Sequence, residues 1–494
     1  MKRIPGYLFA LIAALVGMFA LCLLWPAAPA PLPDVADTRL IRNVRIVDVV
    51  RGVAGAPTDV LVQRGVIARI GDGLHAGPGM PVLEGGGRWL LPGFWDMHVH
   101  AFQLSPQLHF PLSVANGVTG VRDLMDCPGE EDALIACLAD KRRWTADAAA
   151  GRMTAPRFVQ VASFHFNDPA MTPEAAATLA ARYGQRGLDA LKVYNRVPLA
   201  TYLRLAGESR RLQMPLVGHL PQAVELERAV AAGQSSFEHA HLFVRHCFAD
   251  AAAWRAGELD AEDPVALAQR MVATHDAAAC ARAFERMRMA GSAFVPTHVT
   301  REEDARAGDA AFLQDPRLVY LDPLSRWAYG DDLAGTRAQY PGARGEAALQ
   351  AYFGHGLALT GAAWRAGVPV LVGTDTAIGG FRYHDEMAWL VRAGLPPAAV
   401  LRAATFDAAR HAGQQDRHGS VEVGKVADLV LLDADPLQDI ANTRRIHAVL
   451  LGGRLHDRAQ LDALLHFTRR QARSPATGAK LLWGFLTSSI RDEL

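Results

Sequence analysis

Eight short apolar runs recur between residues 90 and 375, separated by alanine-rich stretches with helical apolar spacing, such as TPEAAATLAARYGQRG and LPQAVELERAVAAGQ. The runs are LLPGFWDMHVH, VTGVRDL, RFVQVA, DALKVY, PLVGHL, SSFEH, AFVPTH and VPVLVGTD. Apolar strands alternating with helices predict a parallel sheet with helical crossovers. Eight such units predict an α/β chain with a (β/α)8 TIM barrel, whose functional residues sit at the C-terminal ends of the strands. Residues 300–366 are too long for one ordinary connection, so the pattern predicts a helical insertion over the barrel mouth, a candidate lid.

Glycine-punctuated, β-branched segments flank this region at both ends: IRNVRIVDVV, VLVQRGVIARI and PVLEGG before it, HGSVEVGKVADLVLLDADP and IHAVLLGGRLHD after it. Such segments read as strands, and their placement predicts a small β-sandwich domain formed from both ends of the chain. The expected organisation is therefore 1–37 as a leader and Pro/Ala linker, 38–90 with 418–458 as the composite β domain, 91–417 as the barrel, and 459–494 as a helical tail.

Lys2 and Arg3 precede an uncharged run from Tyr7 to Trp25. That run approaches the ~20 residues of a membrane-spanning helix and exceeds a usual cleaved signal. It predicts an uncleaved membrane anchor that exports the rest to the periplasmic or extracellular face, with cleavage near Ala28 and Ala30 as the alternative. Cys22 follows the bulky Leu21, which argues against a lipoprotein site, and the terminal RDEL is a four-residue match that chance explains. Cys127 and Cys137, and Cys247 and Cys280, read either as two disulfides of an exported chain or as four free buried thiols. The 51 basic and 51 acidic residues cancel, so nothing steers the protein toward nucleic acid. A small molecule or short peptide is the expected partner, and the residues are compatible with a homo-oligomer.

His98 and His100 stand one residue apart on an expected strand and so point the same way, with Val99 opposite. The ends of the other runs supply Lys192, His219, His239 and Asp375. Each alone has an ordinary explanation, such as a turn histidine or a helix-capping aspartate. Six ligand-type side chains at the same ends of apolar strands would carry a large polar cost unless they shared a purpose.

PGFWDMHVH, GVTGVRD, LKVY, GHL, FEH, GTD and GSVEVGKVADLVLLDADPL, in that order, resemble the metal-dependent amidohydrolase superfamily, and within it the prolidase-like and imidazolonepropionase-like branch. The resemblance covers most of residues 38–458. It implies that His98, His100 and Asp375 hold one metal, that His219 and His239 hold a second, and that Lys192 bridges both as a carbamate formed with carbon dioxide. An ammonium has no acceptor and cannot ligate a metal. Imidazole and carboxylate ligands suit zinc, with iron, manganese and nickel as alternatives. The implied reaction is hydrolysis of an amide or other C–N bond by a metal-bridging hydroxide, in a dipeptide, an N-acyl amino acid or a related compound, with Asp375 moving the proton.

Tyr194 faces the same side of its strand as Lys192 and either hydrogen-bonds substrate or packs in the core. Arg122 is expected to pair with Asp123 in support of a ligand. His298 departs from the family pattern and is either a pocket residue or an ordinary strand-end histidine. His384 and Glu386 match the family near the mouth, while His165, His241 and His246 read as structural or surface residues. Two further readings stand beside the binuclear hydrolase: a mononuclear cyclic-amide hydrolase or deaminase, and an inactive membrane-anchored binding protein.

Overall fold

The structure is a computed structural model that describes residues 6–489. Lys2, Arg3 and the terminal RDEL lie outside the described residues.

Four strands open the chain: β1 (Thr38–Asp48), β2 (Val53–Gln63), β3 (Val66–Gly71) and β4 (Val82–Pro92). Seven shorter ones follow: β5 (Phe94–Val99), β6 (Val118–Asp123), β7 (Arg157–Val161), β8 (Leu191–Val193), β9 (Leu216–Gly218), β10 (Ser236–Glu238) and β11 (Ala293–Val295). Three more close the series: β12 (Leu429–Leu432), β13 (Ile446–Leu451) and β14 (Arg454–His456).

The strands of both ends join in one seven-stranded sheet of order β14-β13-β12-β4-β1-β2-β3. Its seam is the antiparallel pairing of β12 with β4, Leu429 opposite Pro92 and Leu432 opposite Trp89. Ile41, Val60, Leu90, Leu429 and Leu450 share a core separate from that of the helical region. The β-rich ends therefore meet in one hydrogen-bonded sheet, and its far edge β3 returns to the segment before β12, where Ile67 N–H donates to Lys425 O at 2.9 Å.

The central runs form short parallel sheets, β5-β6-β7, β8-β9 and β10-β11, and among the described residues no continuous eight-stranded sheet closes. Backbone bonds span the gaps: Ser163 N–H donates to Ala190 O at 2.9 Å, and Ser235 N–H to Leu216 O at 2.8 Å. The eighth run, VPVLVGTD, forms no strand, yet Leu371 N–H donates to Phe294 O and Met97 N–H to Val372 O, both at 2.9 Å. These bonds set Asp375 beside β5, where Asp375 N–H donates to His98 O at 2.8 Å. The insertion is helical, with helices His298–Ala305, Ala310–Leu313, Pro323–Gln339 and Gly342–Arg365.

Among the described residues no helix is long and apolar enough to cross a membrane, which overturns the transmembrane anchor expected over Tyr7–Trp25. Helix Gly6–Leu24 leans instead on the C-terminal helix Pro475–Thr487, and the Lys480 amine donates to the carbonyl of Leu23. The linker is tied down as well: Gln107 donates to Ala28 O at 3.1 Å and Thr154 to Pro31 O at 2.6 Å.

Cys127 is bonded to Cys137 and Cys247 to Cys280, with sequence separations of 10 and 33. If the cross-links act by restricting the unfolded chain, opening the longer loop costs about 4 kcal/mol and the shorter about 3 kcal/mol. Paired serine replacements should therefore lower the melting temperature in that order. Equal melts for wild type and both variants would show that neither bond contributes.

Candidate metal centre

The side chains that sequence reasoning singled out at strand ends converge. Oδ1 of Asp375 lies 3.0 Å from His100 Nε2 and 3.6 Å from His98 Nε2, and its Oδ2 lies 3.9 Å from His239 Nδ1. His219 and His239 face each other with their Nε2 atoms 2.9 Å apart. The rings of His98 and His239 are 5.1 Å apart, and the Tyr194 ring lies 3.9 Å from that of His219. Lys192 is buried, and its Nζ has no hydrogen-bond partner.

Local backbone geometry makes this convergence. His239 and Asp375 adopt left-handed conformations, with φ of 75° and 49°, which for residues bearing a Cβ cost of order 1–3 kcal/mol each. Long-range bonds hold them there, His239 N–H to Val295 O and Asp375 N–H to His98 O. Gly218, at φ 115°, has no substitute: a Cβ would stand 2.4 Å from Val193 O and 2.7 Å from Lys192 Cδ, in the space the lysine stem fills. Asp96 ties the two sides together. Its Oδ1 accepts from the N–H groups of His98 and Thr374, and its Oδ2 from the Thr374 hydroxyl at 2.6 Å. Burial pushes this carboxyl up to about 7.

Behind the histidines lies a buried ion pair. Arg122 donates to Glu238 Oε1 at 2.9 Å, to Ser236 Oγ at 2.9 Å and to Met97 O at 2.6 Å. Glu238 Oε2 in turn lies 3.3 Å from His98 Nδ1. The expected Arg122–Asp123 pair does not form, because neighbours on a strand point to opposite faces. Asp123 instead accepts from Lys141 at 3.1 Å. Burial would raise the Glu238 carboxyl, but Arg122 and His98 hold it well below the usual carboxylate range.

The donor set fits divalent ions. Burial lowers His98 to about 4 and takes His219 and His239 well below their ordinary value, so all three are neutral and carry lone pairs. Asn195 Oδ1 lies 2.8 Å from His219 Nδ1. An amide oxygen only accepts, so Nδ1 carries the proton and Nε2 stays open. The Thr297 hydroxyl sits 2.8 Å from His239 Nδ1. The open His219 Nε2 and His239 Nε2, 2.9 Å apart, are held together by a proton on His239 or by a cation that both ligate. Burial brings Lys192 down to about 8, against the opposing pull of Glu238 and Asp375. Burial would raise Asp375, yet the surrounding imidazoles, His98 and His100 foremost, keep it well below its ordinary value and so ionised. The ligand atoms of His98, His100 and Asp375 lie within 4.8 Å of one another, close enough to share one ion.

The remaining expected residues stand elsewhere. His384 bonds Thr443 Oγ1 at 2.9 Å and Glu386 accepts from Val299 N–H at 2.9 Å, so both are buried supports rather than mouth residues. His298 is buried beside Phe353 with both ring nitrogens unpartnered. His165 and His241 are half-buried and border the cluster, their rings 5.0 Å from Tyr194 and 5.6 Å from His239. His246 packs on Trp254, its ring 5.3 Å away. Sequence reasoning missed Glu238, Asn195 and Thr297. Glu238 had a readable signal, a carboxylate within an apolar strand that burial obliges to find a cation.

Residues 166–456 match the profile of the amidohydrolase family. Among curated proteins, a dihydroorotase of Geobacter sp. (strain M21) is 38% identical over 78 residues, 16% of this chain and 18% of that protein. The match thus spans about a fifth of that relative's length. Among solved structures, the bottromycin amidohydrolase superposes with a TM-score of 0.66 at 24% identity, covering 90% of this chain and 92% of that one. A Xaa-Pro dipeptidase with bound methionine superposes with a TM-score of 0.60 at 16% identity, covering 85% and 100%. These likenesses give the central region a TIM-barrel-like α/β fold.

Proposed function

Because the chain belongs to the amidohydrolase family, we propose that it is a metal-dependent hydrolase of an amide or related C–N bond, prolidase-like and binuclear, acting on a dipeptide, an N-acyl amino acid or a similar small compound. His98, His100 and Asp375 would hold one divalent ion, His219 and His239 a second, and Lys192, carboxylated by carbon dioxide with loss of a proton, would join them on a (β/α)8 scaffold. Zinc suits these ligands. Bound divalent ions lower the pKa of water and polarise a scissile carbonyl.

The chain's own residues supply the rest. The Asp375 carboxylate takes the proton of the attacking water and passes it to the leaving nitrogen. Tyr194, whose ring lies against that of His219, offers its hydroxyl to the substrate carbonyl or carboxylate. Glu238 and Asn195 hold His98 and His219 in ligating orientation. The two disulfides favour an oxidising compartment and hence export.

The observation that carries this reading is the convergence of His98, His100, His219, His239 and the buried, unpartnered Lys192 amine around an ionised Asp375. Metal analysis of purified protein, with turnover of a dipeptide and N-acyl amino acid panel, tests it. About two ions per chain and turnover of at least one amide are expected. The tight grouping of His98, His100 and Asp375 favours a mononuclear alternative, which one ion per chain in a fully active enzyme would establish instead.

A further inference from the structure

A cavity of about 450 Å³ opens at His100 and Asp375, and its lining extends to Leu481 and Phe485 of the C-terminal helix. Its walls come from parts of the chain far apart in sequence: Leu108 and Phe158 from the barrel, Leu324 and Trp327 from the insertion, Leu481 and Phe485 from the tail. Three of the polar side chains that also reach it are engaged elsewhere, while Tyr320, Tyr329 and Asp332 stand on the insertion side. Ser105 Oγ bonds His109 Nδ1 at 2.8 Å, the Ser113 hydroxyl donates to His109 O at 3.1 Å, and Asp322 accepts from the N–H groups of Leu324 and Ser325, both at 3.0 Å. A substrate group lying between Leu108, Phe158, Leu324 and Leu481 meets mainly carbon.

A second cavity adjoins the first. Leu104, Leu134 and Leu481 line both, and the second, of about 290 Å³, is bounded further by Leu23 and Trp483. Only these three leucine side chains are common to both cavities, so a slender chain that parts them gains the second space, which a compact ring does not reach.

We propose that this path binds a long unbranched aliphatic acyl chain, so that the substrate is a long-chain N-acyl amino acid cleaved at its amide beside Asp375. The assignment rests on the amide-hydrolase reading above and names its substrate class. Water adds its oxygen to the acyl carbon, the C–N bond breaks, and the nitrogen leaves with a proton as the free amino acid. The fatty carboxylate remains in the path until it dissociates. The C-terminal helix is then a wall of the substrate site.

The test uses the full chain with its metal, a series of N-acylglycines from acetyl to dodecanoyl, and calorimetry with decanoate, which has no bond to cleave. Each buried methylene should raise kcat/KM about fourfold until the path is filled. Leu481→Trp, which narrows the path, should lower the dodecanoyl-to-acetyl ratio of kcat/KM at least tenfold and weaken decanoate binding. Phe485→Ala, which shortens a wall without adding bulk, should lower the same ratio and so guards against a tryptophan that merely disturbs folding. Hydrolysis of the series with no dependence on chain length overturns the proposal and leaves the hydrolase reading standing. Decanoate binding that Leu481→Trp weakens, with no amide cleaved, supports the acyl path and overturns the hydrolase reading. Absence of decanoate binding together with a flat series overturns the acyl path outright.

Discussion

Lys192→Ala should lower kcat/KM by about four orders of magnitude, the loss expected when several kcal/mol of charge stabilisation disappear from the transition state. The reason lies in what surrounds the amine. Lys192 is buried without a hydrogen-bond partner, among imidazoles that are themselves neutral. Burial disfavours the ammonium there against the pull of Glu238 and Asp375, whereas a carbamate would add anionic oxygens able to ligate a metal. The variant should lose about half of its metal, and acetate or formate should restore part of the activity by occupying the emptied space. Removing a buried unpaired amine should not lower the melting temperature, so the effect is separable from misfolding. An alanine variant with full activity and unchanged metal content would remove Lys192 from the chemistry.

The second large effect concerns stability. Glu238→Ala leaves the Arg122 guanidinium buried and uncompensated, and breaking such a pair costs about 3–5 kcal/mol. The double replacement Arg122→Met with Glu238→Leu removes both charges and should recover most of that loss. It should not recover metal affinity. Glu238 Oε2 is the carboxylate beside His98 Nδ1, and losing such a partner costs about 10–100-fold in affinity. Denaturant melts and competition with a chelator read the two quantities independently. If Glu238→Ala is as stable as wild type, the Arg122–Glu238 pair does not stabilise the fold.

How much of this was legible follows from the range over which each signal acts. That His98, His100, Lys192, His219, His239 and Asp375 would lie together could be read because each ends an apolar run, and parallel strands present those ends on one side. The cysteine pairs were limited to a few arrangements by number alone. Glu238 and Arg122 meet across strands distant in sequence, a matter of register that no local pattern encodes. Their pairing was also obscured by the nearer Asp123, although strand alternation already argued against that neighbour. The walls of the acyl path were illegible for a different reason. Leu481 and Phe485 belong to a helix whose spacing says that it has an apolar face but not what that face meets. The eighth run fooled pattern reading in a smaller way, since its few bridging bonds set Asp375 correctly without forming a strand.

The seam between β4 and β12 has a consequence for how the molecule is made. Leu90 and Leu91 emerge from the ribosome early, yet their partners Leu431 and Val430 come only after the whole central region has been synthesised. At ~5–20 residues per second that wait lasts tens of seconds. Through that interval one edge of the nascent sheet offers unpaired peptide groups and bare leucines, a liability for any edge strand. Biogenesis thus calls for a holding device, a chaperone or delayed release, until the last strands arrive to lock the first ones in place.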